Sequence, residues 1–252
     1  MSRINICYID DKYLVRDKSS SDGSQTKYYM NNNWYKLDYY GGEGESEYLS
    51  SMLLSCTNLK ENEYVNYDRL IINDVSGCVS PDFRQNSDEE FVTLYRLYQN
   101  VHGRDLAAVT SKMDYDDAIA YVINFVRNQT GLDITTYLAN TFWLDRIILN
   151  TDRHFNNYGI IMYGDGYRVA PIFDNGKSLF TGLDIDMNST AINDVVRKNY
   201  SKSFSPNYDL NYQHLKEFCT IDLNIGRIIE LLSKQENTKQ KRVLEYQLNK
   251  KL

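Results

Sequence analysis

The chain has 252 residues, of which 42% are hydrophobic, and this is enough to form one sizeable core. Its 28 Lys and Arg against 34 Asp and Glu give a formal net charge of -6, which excludes a global electrostatic case for nucleic-acid binding. The four cysteines contain no Cys-x-x-Cys pair, and together with the three histidines they offer no zinc constellation, so the composition suits a reducing cytosol.

The sequence also gives no sign of a membrane or export signal. No apolar run approaches the roughly 18 residues of a transmembrane helix. The amino terminus is interrupted by Asp10 and Asp11 too early to serve as a signal peptide. We therefore predict a cytoplasmic protein with no membrane partner and no direct nucleic-acid partner.

Short alternating runs in residues 1–84 predict a small β-rich lobe with one helix. The predicted strands are Ile4–Ile9, Lys27–Met30, Trp34–Asp38 and Tyr64–Val75. The predicted helix starts near Glu47 and places Leu49, Met52, Leu53 and Cys56 on one face. The segment Gly77–Phe83 contains the Gly, Ser and Pro of a connector, so we place the lobe boundary there.

Residues 85–252 follow a helical period and predict a larger, mainly helical lobe. Ser87–Glu90 is a capping box that predicts a helix ending by Gly103. The further predicted helices are Ala118 to about Gly131, Ile134–Leu149, Leu210–Cys219, Leu223–Leu232 and a packed tail that ends at Leu252. A hairpin is predicted from Tyr158–Met162 and Tyr167–Ile172. The expected fold class is α+β with two lobes.

Two polar segments flank this hairpin, Asp152–Asn157 before it and Asp174–Gly176 after it. Phosphoryl transfer from a metal nucleotide needs an amide and a carboxylate as hard ligands for Mg²⁺, plus another carboxylate to orient the attacking hydroxyl. The hairpin would bring the two segments together. We therefore predict Asp152 as the catalytic base and Asn157 and Asp174 as the metal ligands.

These segments, Asn150–Asn157 and Pro171–Ser178, resemble the catalytic and metal-binding segments of the HipA-like serine/threonine kinases, which are toxin-type bacterial kinases. The Asp-Arg-His-x-x-Asn core also occurs in phosphoinositide kinases. The resemblance implies a two-lobed protein-kinase-like fold, ATP and Mg²⁺ as cofactors, a protein substrate and an antitoxin-type partner protein. It also includes His154 in the catalytic loop, where we expect it to hydrogen-bond the loop or Asp174; action as a general base is the alternative.

Upstream, the segment Ser20–Lys27 resembles the phosphate loop of the same kinases, with Ser24 in place of an alanine. Such a loop lets backbone amides and hydroxyls approach phosphate oxygens. The resemblance places five residues at the phosphates of ATP: Ser20, Gly23, Ser24, Gln25 and Lys27. Ser20 also matches the position at which HipA-like kinases phosphorylate themselves.

The predicted strand that follows carries Lys36, and the predicted helix carries Glu47. A lysine on a strand paired with a glutamate on the next helix positions the phosphates in protein kinases. Glu43 and Glu45 are alternative partners for the lysine. We interpret Gly41–Gly44 as the turn into the helix rather than a phosphate cradle, because its acidic neighbours would repel an anionic ligand.

Three functions are consistent with this sequence: a protein serine/threonine kinase, a pseudokinase that acts as a binding module, and a small-molecule or phosphoinositide kinase on the same scaffold. A binding module does not need a full set of phosphate-binding, metal-binding and catalytic-base residues. A lipid kinase would want a basic groove or an amphipathic membrane-facing surface. The first function, a protein serine/threonine kinase, is therefore favoured.

Residues 177–206 are polar. They form either an activation and substrate-docking segment or a surface loop.

Overall fold

The computed structural model of the protein describes residues 4–16, 25–184, 189–198 and 201–251. The predicted phosphate loop falls partly outside these residues. Ser20, Gly23 and Ser24 are not described, whereas Gln25 and Lys27 are.

The first part of the chain forms a five-stranded sheet. Its strands are β1 (Asn5–Cys7), β2 (Lys27–Met30), β3 (Asn33–Leu37), β4 (Asp68–Ile72) and β5 (Val75–Pro81), in the order β1-β4-β5-β3-β2. β1 pairs with β4 in parallel, and the other pairs are antiparallel. The predicted connector at Gly77–Phe83 is therefore wrong over most of its length, because β5 is the central strand. A Cβ at Gly77 would lie 2.2 Å from the Lys36 carbonyl oxygen, so this glycine marks a close approach of two backbones.

Helix α1 (Glu43–Leu54) packs across this sheet, and its first turn touches β5. The Asp38 carboxylate accepts the N–H groups of Gly42 (2.9 Å) and Gly44 (2.7 Å), which satisfies two donors at the helix start. A Cβ at Gly44 would lie 2.6 Å from the Gly77 carbonyl carbon, so glycine permits this contact. The predicted turn into the helix is confirmed at Gly41 and Gly42, but the helix begins at Glu43, four residues before the predicted start at Glu47.

A second sheet holds β6 (Glu90–Thr93), β7 (Gly159–Tyr163) and β8 (Gly166–Val169) in that order. The predicted hairpin is confirmed as β7 and β8. The predicted helix start at Ser87 is wrong, because residues 90–93 pair with β7 and extend the sheet. Thr93 caps the following helix instead, by accepting the Arg96 N–H at 3.1 Å. The chain thus passes from the first sheet to the second within residues 82–89.

The helices after β6 form the larger part of the fold. They are α2 (Leu94–His102), α3 (Leu106–Thr110), α4 (Tyr115–Thr130), α5 (Thr135–Ile148), α6 (Ser189–Lys198), α7 (Tyr208–Leu215), α8 (Ile225–Ser233) and α9 (Lys239–Lys251). As predicted, α2 ends at Gly103 and α4 at Gly131, both in the left-handed conformation. No helix in the described part of the chain is long and apolar enough to cross a membrane.

Helix α1 connects the two parts of the molecule through a shared core. Its Leu49 and Leu53 are fully buried in one cluster with Ile147 of α5 and Val243 of α9. The apolar side of α1 is therefore covered by helices of the C-terminal part, while its N-terminal half faces the first sheet. This arrangement fixes Glu47 between the sheet and the segment that follows β8.

Candidate active site

Lys36 lies at the centre of a cluster of charged side chains between β3 and α1. Its Nζ is 2.8 Å from Glu47 Oε1 and 3.1 Å from Asp174 Oδ1. The ring of Tyr67 lies beside the ammonium, with the centroid 5.1 Å from Nζ. The partner of Lys36 on α1 is thus Glu47, whereas Glu45 pairs with Arg69.

The three charged groups shift one another's pKa values. Burial alone raises the pKa of the Asp174 carboxyl, but the nearby Lys36 and Lys27 ammonium groups outweigh burial and hold this pKa below its usual range. Burial lowers the pKa of Lys36, and Asp174 and Glu47 outweigh it, so the pKa lies well above the usual value. Burial raises the pKa of Glu47 despite the opposing Lys36 charge. At neutral pH Lys36 and Asp174 are therefore both charged.

The backbone around Asp174 is held in an uncommon conformation. Asp174 has a φ of 58°, in the left-handed region that side chains other than glycine rarely adopt. Its N–H donates to the Tyr67 hydroxyl at 3.3 Å, and the N–H of Asn175 donates to Glu47 Oε2 at 2.7 Å. Glu47 therefore positions the lysine with one oxygen and the backbone after Asp174 with the other.

The loop Asn150–Asn157 runs beside residues 173–177. Arg153 Nη1 donates to the Phe173 carbonyl at 2.5 Å, and Nη2 donates to the side-chain oxygen of Asn175. The Thr151 N–H donates to the Lys177 carbonyl at 3.0 Å. These bonds bring the segment of Asp152 next to that of Asp174, as the predicted hairpin requires.

Arg153 is fully buried and pairs with Asp145 of α5 through three N···O contacts of 3.0 to 3.2 Å. This partner lies on the helix that precedes the loop. Burial lowers the pKa of Arg153, but the Asp145 carboxylate outweighs it and raises this pKa. The sequence does hold a signal for Asp145, because it is the only acidic residue of the predicted helix Ile134–Leu149.

The predicted catalytic base, Asp152, is partly exposed at the start of this loop. Lys202 Nζ contacts its Oδ1, a contact that the sequence does not indicate. His154 Nε2 lies 3.9 Å from Asp152 Oδ2, beyond hydrogen-bond range, and its Nδ1 is buried without a partner among the described residues. Among the described residues, the His154 side chain therefore does not form the expected hydrogen bond to the loop or to Asp174, although its backbone N–H donates to the Asp152 carbonyl at 2.8 Å.

Asn157 presents an unused oxygen. Its side chain is buried, with Nδ2 donating to the Asp152 carbonyl at 2.8 Å. Because that carbonyl only accepts, the orientation of the amide is fixed and Oδ1 faces away from it. Among the described residues, Oδ1 has no hydrogen-bond partner although it is buried. Such an oxygen, together with the Asp174 carboxylate, fits the hard ligands that Mg²⁺ prefers.

The described residues contain no group of three His, Cys, Asp or Glu side chains able to hold a metal ion. The protein would thus supply two metal ligands, the amide oxygen of Asn157 and the carboxylate of Asp174. Mg²⁺ is commonly bound in this way, by one or two carboxylates together with substrate phosphates and water. The residues present fit a metal ion that arrives with a nucleotide.

A cavity of about 390 Å³ opens beside this cluster. Lys27, Lys36 and Asp174 line it at one end, and Lys27 lies directly opposite Lys36 on the neighbouring strand. The walls are mainly apolar and include Val65, Tyr67, Phe173 and residues 80–83. The volume is in the range of ligand sites, and the pairing of a cationic end with an apolar wall suits a nucleotide. Gln25, which is also a predicted phosphate-binding residue, lies two residues before β2.

No known protein family and no curated protein matches the sequence. Solved structures do match. The proinflammatory kinase CtkA of Helicobacter pylori superposes with a TM-score of 0.66 at 16% identity, over 94% of this chain and 90% of that chain. HipA of Shewanella oneidensis MR-1, solved with HipB and its operator DNA, gives a TM-score of 0.44 at 12% identity, over 96% of this chain and 66% of that chain. The chain therefore has the α+β fold of a kinase, as its sequence predicts.

Proposed function

We propose that this chain is an Mg-ATP-dependent protein serine/threonine kinase of the HipA-like type. The observation that carries the proposal is Lys36, which bridges Glu47 and Asp174 at the charged end of a nucleotide-sized cavity. A lysine and glutamate pair beside a metal-binding aspartate is the arrangement that positions ATP phosphates in protein kinases.

Each charged group then has a role. Lys36 binds the α- and β-phosphates, and Lys27 extends the cationic surface from the next strand. Asn157 and Asp174 would hold Mg²⁺, which would supply charge neutralisation at the phosphates. Ser20, Gly23, Ser24 and Gln25 are proposed to bind the phosphates, on the strength of the sequence motif.

Asp152 is proposed to accept the proton of the acceptor hydroxyl. The hydroxyl oxygen forms a bond to the γ-phosphorus while the bond from that phosphorus to the β–γ bridging oxygen breaks, and its electron pair stays on ADP. The proton passes to the Asp152 carboxylate and then to solvent. The partial exposure of Asp152 leaves room for an acceptor.

A protein hydroxyl is proposed as the acceptor because of the resemblance of the catalytic segments to the HipA-like kinases. The same resemblance supports a cytoplasmic enzyme with an antitoxin-type partner protein.

The test is transfer of labelled γ-phosphate from Mg-ATP in three parallel reactions, with a cell lysate, with phosphoinositide vesicles and with no acceptor. Label on proteins that disappears with Asp174→Asn would support the proposal. Label on lipid alone would assign the chain to lipid kinases. Nucleotide binding without turnover in any reaction would indicate a pseudokinase and overturn the proposed activity.

We also expect the enzyme to phosphorylate itself within Ser19–Ser21, which lies outside the described residues. A phosphate there adds a charge of about -1.5 to -2 beside the ATP phosphates, so it should inhibit. Intact mass after incubation with Mg-ATP should show one added phosphate and falling activity, with Asp152→Ala as the control. No added mass, or a modified enzyme that is more active, would remove this expectation.

A further inference from the structure

The turn 201–206 lies over the catalytic loop and contacts it at two points. Lys202 Nζ contacts Asp152 Oδ1, and Ser203 Oγ donates to the Arg153 carbonyl at 2.7 Å. Lys202 is 50 residues away from Asp152 in sequence, so no local motif predicts this contact. The turn thereby places the Lys202 ammonium beside the partly exposed carboxylate of Asp152.

The backbone that carries Lys202 is firmly anchored. The next two residues, Ser203 and Phe204, both have positive φ values, 60° and 53°. The Phe204 ring packs against Phe142 and Phe155 with centroids 5.5 and 5.4 Å apart. Asn211 exchanges hydrogen bonds with the backbone of Ser205, at 3.0 and 2.9 Å. The backbone position of Lys202 is therefore set by the fold.

We propose that Lys202 is a further catalytic residue, which donates a hydrogen bond to a non-bridging oxygen of the γ-phosphoryl group during transfer. This proposal rests on the proposed function. An ammonium carries three donors, and contact with Asp152 uses one of them. The transferring phosphoryl group spreads its charge over three oxygens, so a cation close to the base meets that charge as the acceptor attacks. Lys202 transfers no proton, and the bonds that form and break are those of phosphoryl transfer with Asp152 as the base.

The competing possibility is that Lys202 inhibits by occupying the base. The structure favours catalysis, because the Lys202 side chain is 56% exposed and the Asp152 side chain is 32% exposed. An ion pair this exposed is weak, and the ammonium readily exchanges the carboxylate for a stronger anion. A phosphoryl group is such an anion, and an acceptor hydroxyl can then take the place of the ammonium on Asp152.

The experiment compares Lys202→Met, which keeps the length of the side chain, with Lys202→Arg, which keeps the charge. Lys234→Met is the matched control, since Lys234 also forms an exposed pair, with Glu230 on α8. Two quantities are measured by calorimetry: the affinity for Mg-ADP, and the added affinity when aluminium fluoride supplies a mimic of the phosphoryl group in transfer. Turnover of Mg-ATP is measured alongside.

We expect Lys202→Met to lower kcat roughly 10- to 100-fold, less than the loss of a buried donor would, with the affinity for Mg-ADP unchanged. The added affinity from aluminium fluoride should fall by a similar factor, Lys202→Arg should restore most of it, and Lys234→Met should match the wild type. Wild-type behaviour of Lys202→Met, or faster turnover, would overturn the proposal for Lys202 while leaving the kinase assignment intact. A wild-type chain that does not bind Mg-ADP would instead overturn both.

Discussion

Arg153 donates a hydrogen bond to the side-chain oxygen of Asn175, and each of these residues directly follows an aspartate at the proposed site of phosphoryl transfer. The same guanidinium binds the carbonyl of Phe173, so it contacts the residues on both sides of Asp174. The proposed base and the proposed metal ligand are thus connected through one buried side chain. Displacing one segment would displace the other.

This connection leads to a prediction about stability. Asp145→Ala should lower the free energy of unfolding by about 3 to 5 kcal/mol, because it leaves the Arg153 charge buried without its partner. Urea denaturation followed by circular dichroism measures the change. The exposed pair Arg127 and Asp133 provides the control, and Arg127→Ala should cost less than about 1 kcal/mol. Equal small losses for the two variants would show that the buried pair does not hold the loop.

The metal ligands give a second prediction. Asp174→Asn and Asn157→Ala should each abolish Mg-ATP turnover with the fold intact, because each removes a hard oxygen ligand and with it charge neutralisation at the transferring phosphate. Coupled-assay rates at saturating Mg²⁺ and the melting temperature are the measurements. Asp165→Asn changes an exposed aspartate in the β7–β8 turn and should leave both unchanged. A wild-type rate in either site variant would refute the assignment.

The third prediction separates the base from the nucleotide site. Asp152→Ala should reduce transfer to a hydroxyl by roughly two or more orders of magnitude, while the affinity for Mg-ATP stays nearly the same, since Asp152 orients the acceptor. Single-turnover rates and calorimetry give the two quantities. Asp88→Ala, an exposed change near the start of β6, is the matched control. A parallel loss of nucleotide affinity would make Asp152 a metal or structural residue instead.

The fourth prediction concerns pH. Burial raises the pKa of Glu47 above the ordinary value of about 4.3, so as the pH falls Glu47 takes up a proton before an exposed glutamate would. The pKa of Asp174 is depressed, so it stays ionised over the same range. Affinity for Mg-ATP should therefore decline as the pH falls, beginning above the range in which an exposed glutamate titrates, because protonated Glu47 releases Lys36.

Calorimetry with Glu47→Gln tests this assignment. The variant should bind more weakly at neutral pH and lose the acid-side decline, while any titration of ATP itself affects both proteins equally. An identical slope in the wild type and in Glu47→Gln would contradict a role for Glu47 in the pH dependence.

Much of the site follows from local sequence. Lys36 and Glu47 lie where the strand and helix patterns place them, and they meet because Gly44 lets α1 approach β5. The hairpin between Asn157 and Asp174 is encoded by its turn and by its alternating strands. These features depend on residues that are close together in the chain, so they can be predicted from one sequence.

The errors involve partners that are distant in sequence. Residues 90–93 fit a helical pattern, but pairing with β7 makes them a strand. Gly77 was assigned to a connector because glycine usually marks a turn, whereas here it admits a neighbouring backbone. Lys202 stands in a polar stretch with no periodicity, and the packing of Phe204 and the hydrogen bonds of its turn bring it to Asp152.

The burial of Arg153 bears on how such an enzyme is controlled. Kinases that are switched on by phosphorylation of the activation segment use the new phosphate to recruit arginine side chains and order the segment. Arg153 has no exposed surface, and its donors are already bound to Asp145, Phe173 and Asn175. A phosphate on the later segment therefore could not bind this guanidinium. A phosphate that orders this segment would therefore have to bind cationic side chains other than Arg153.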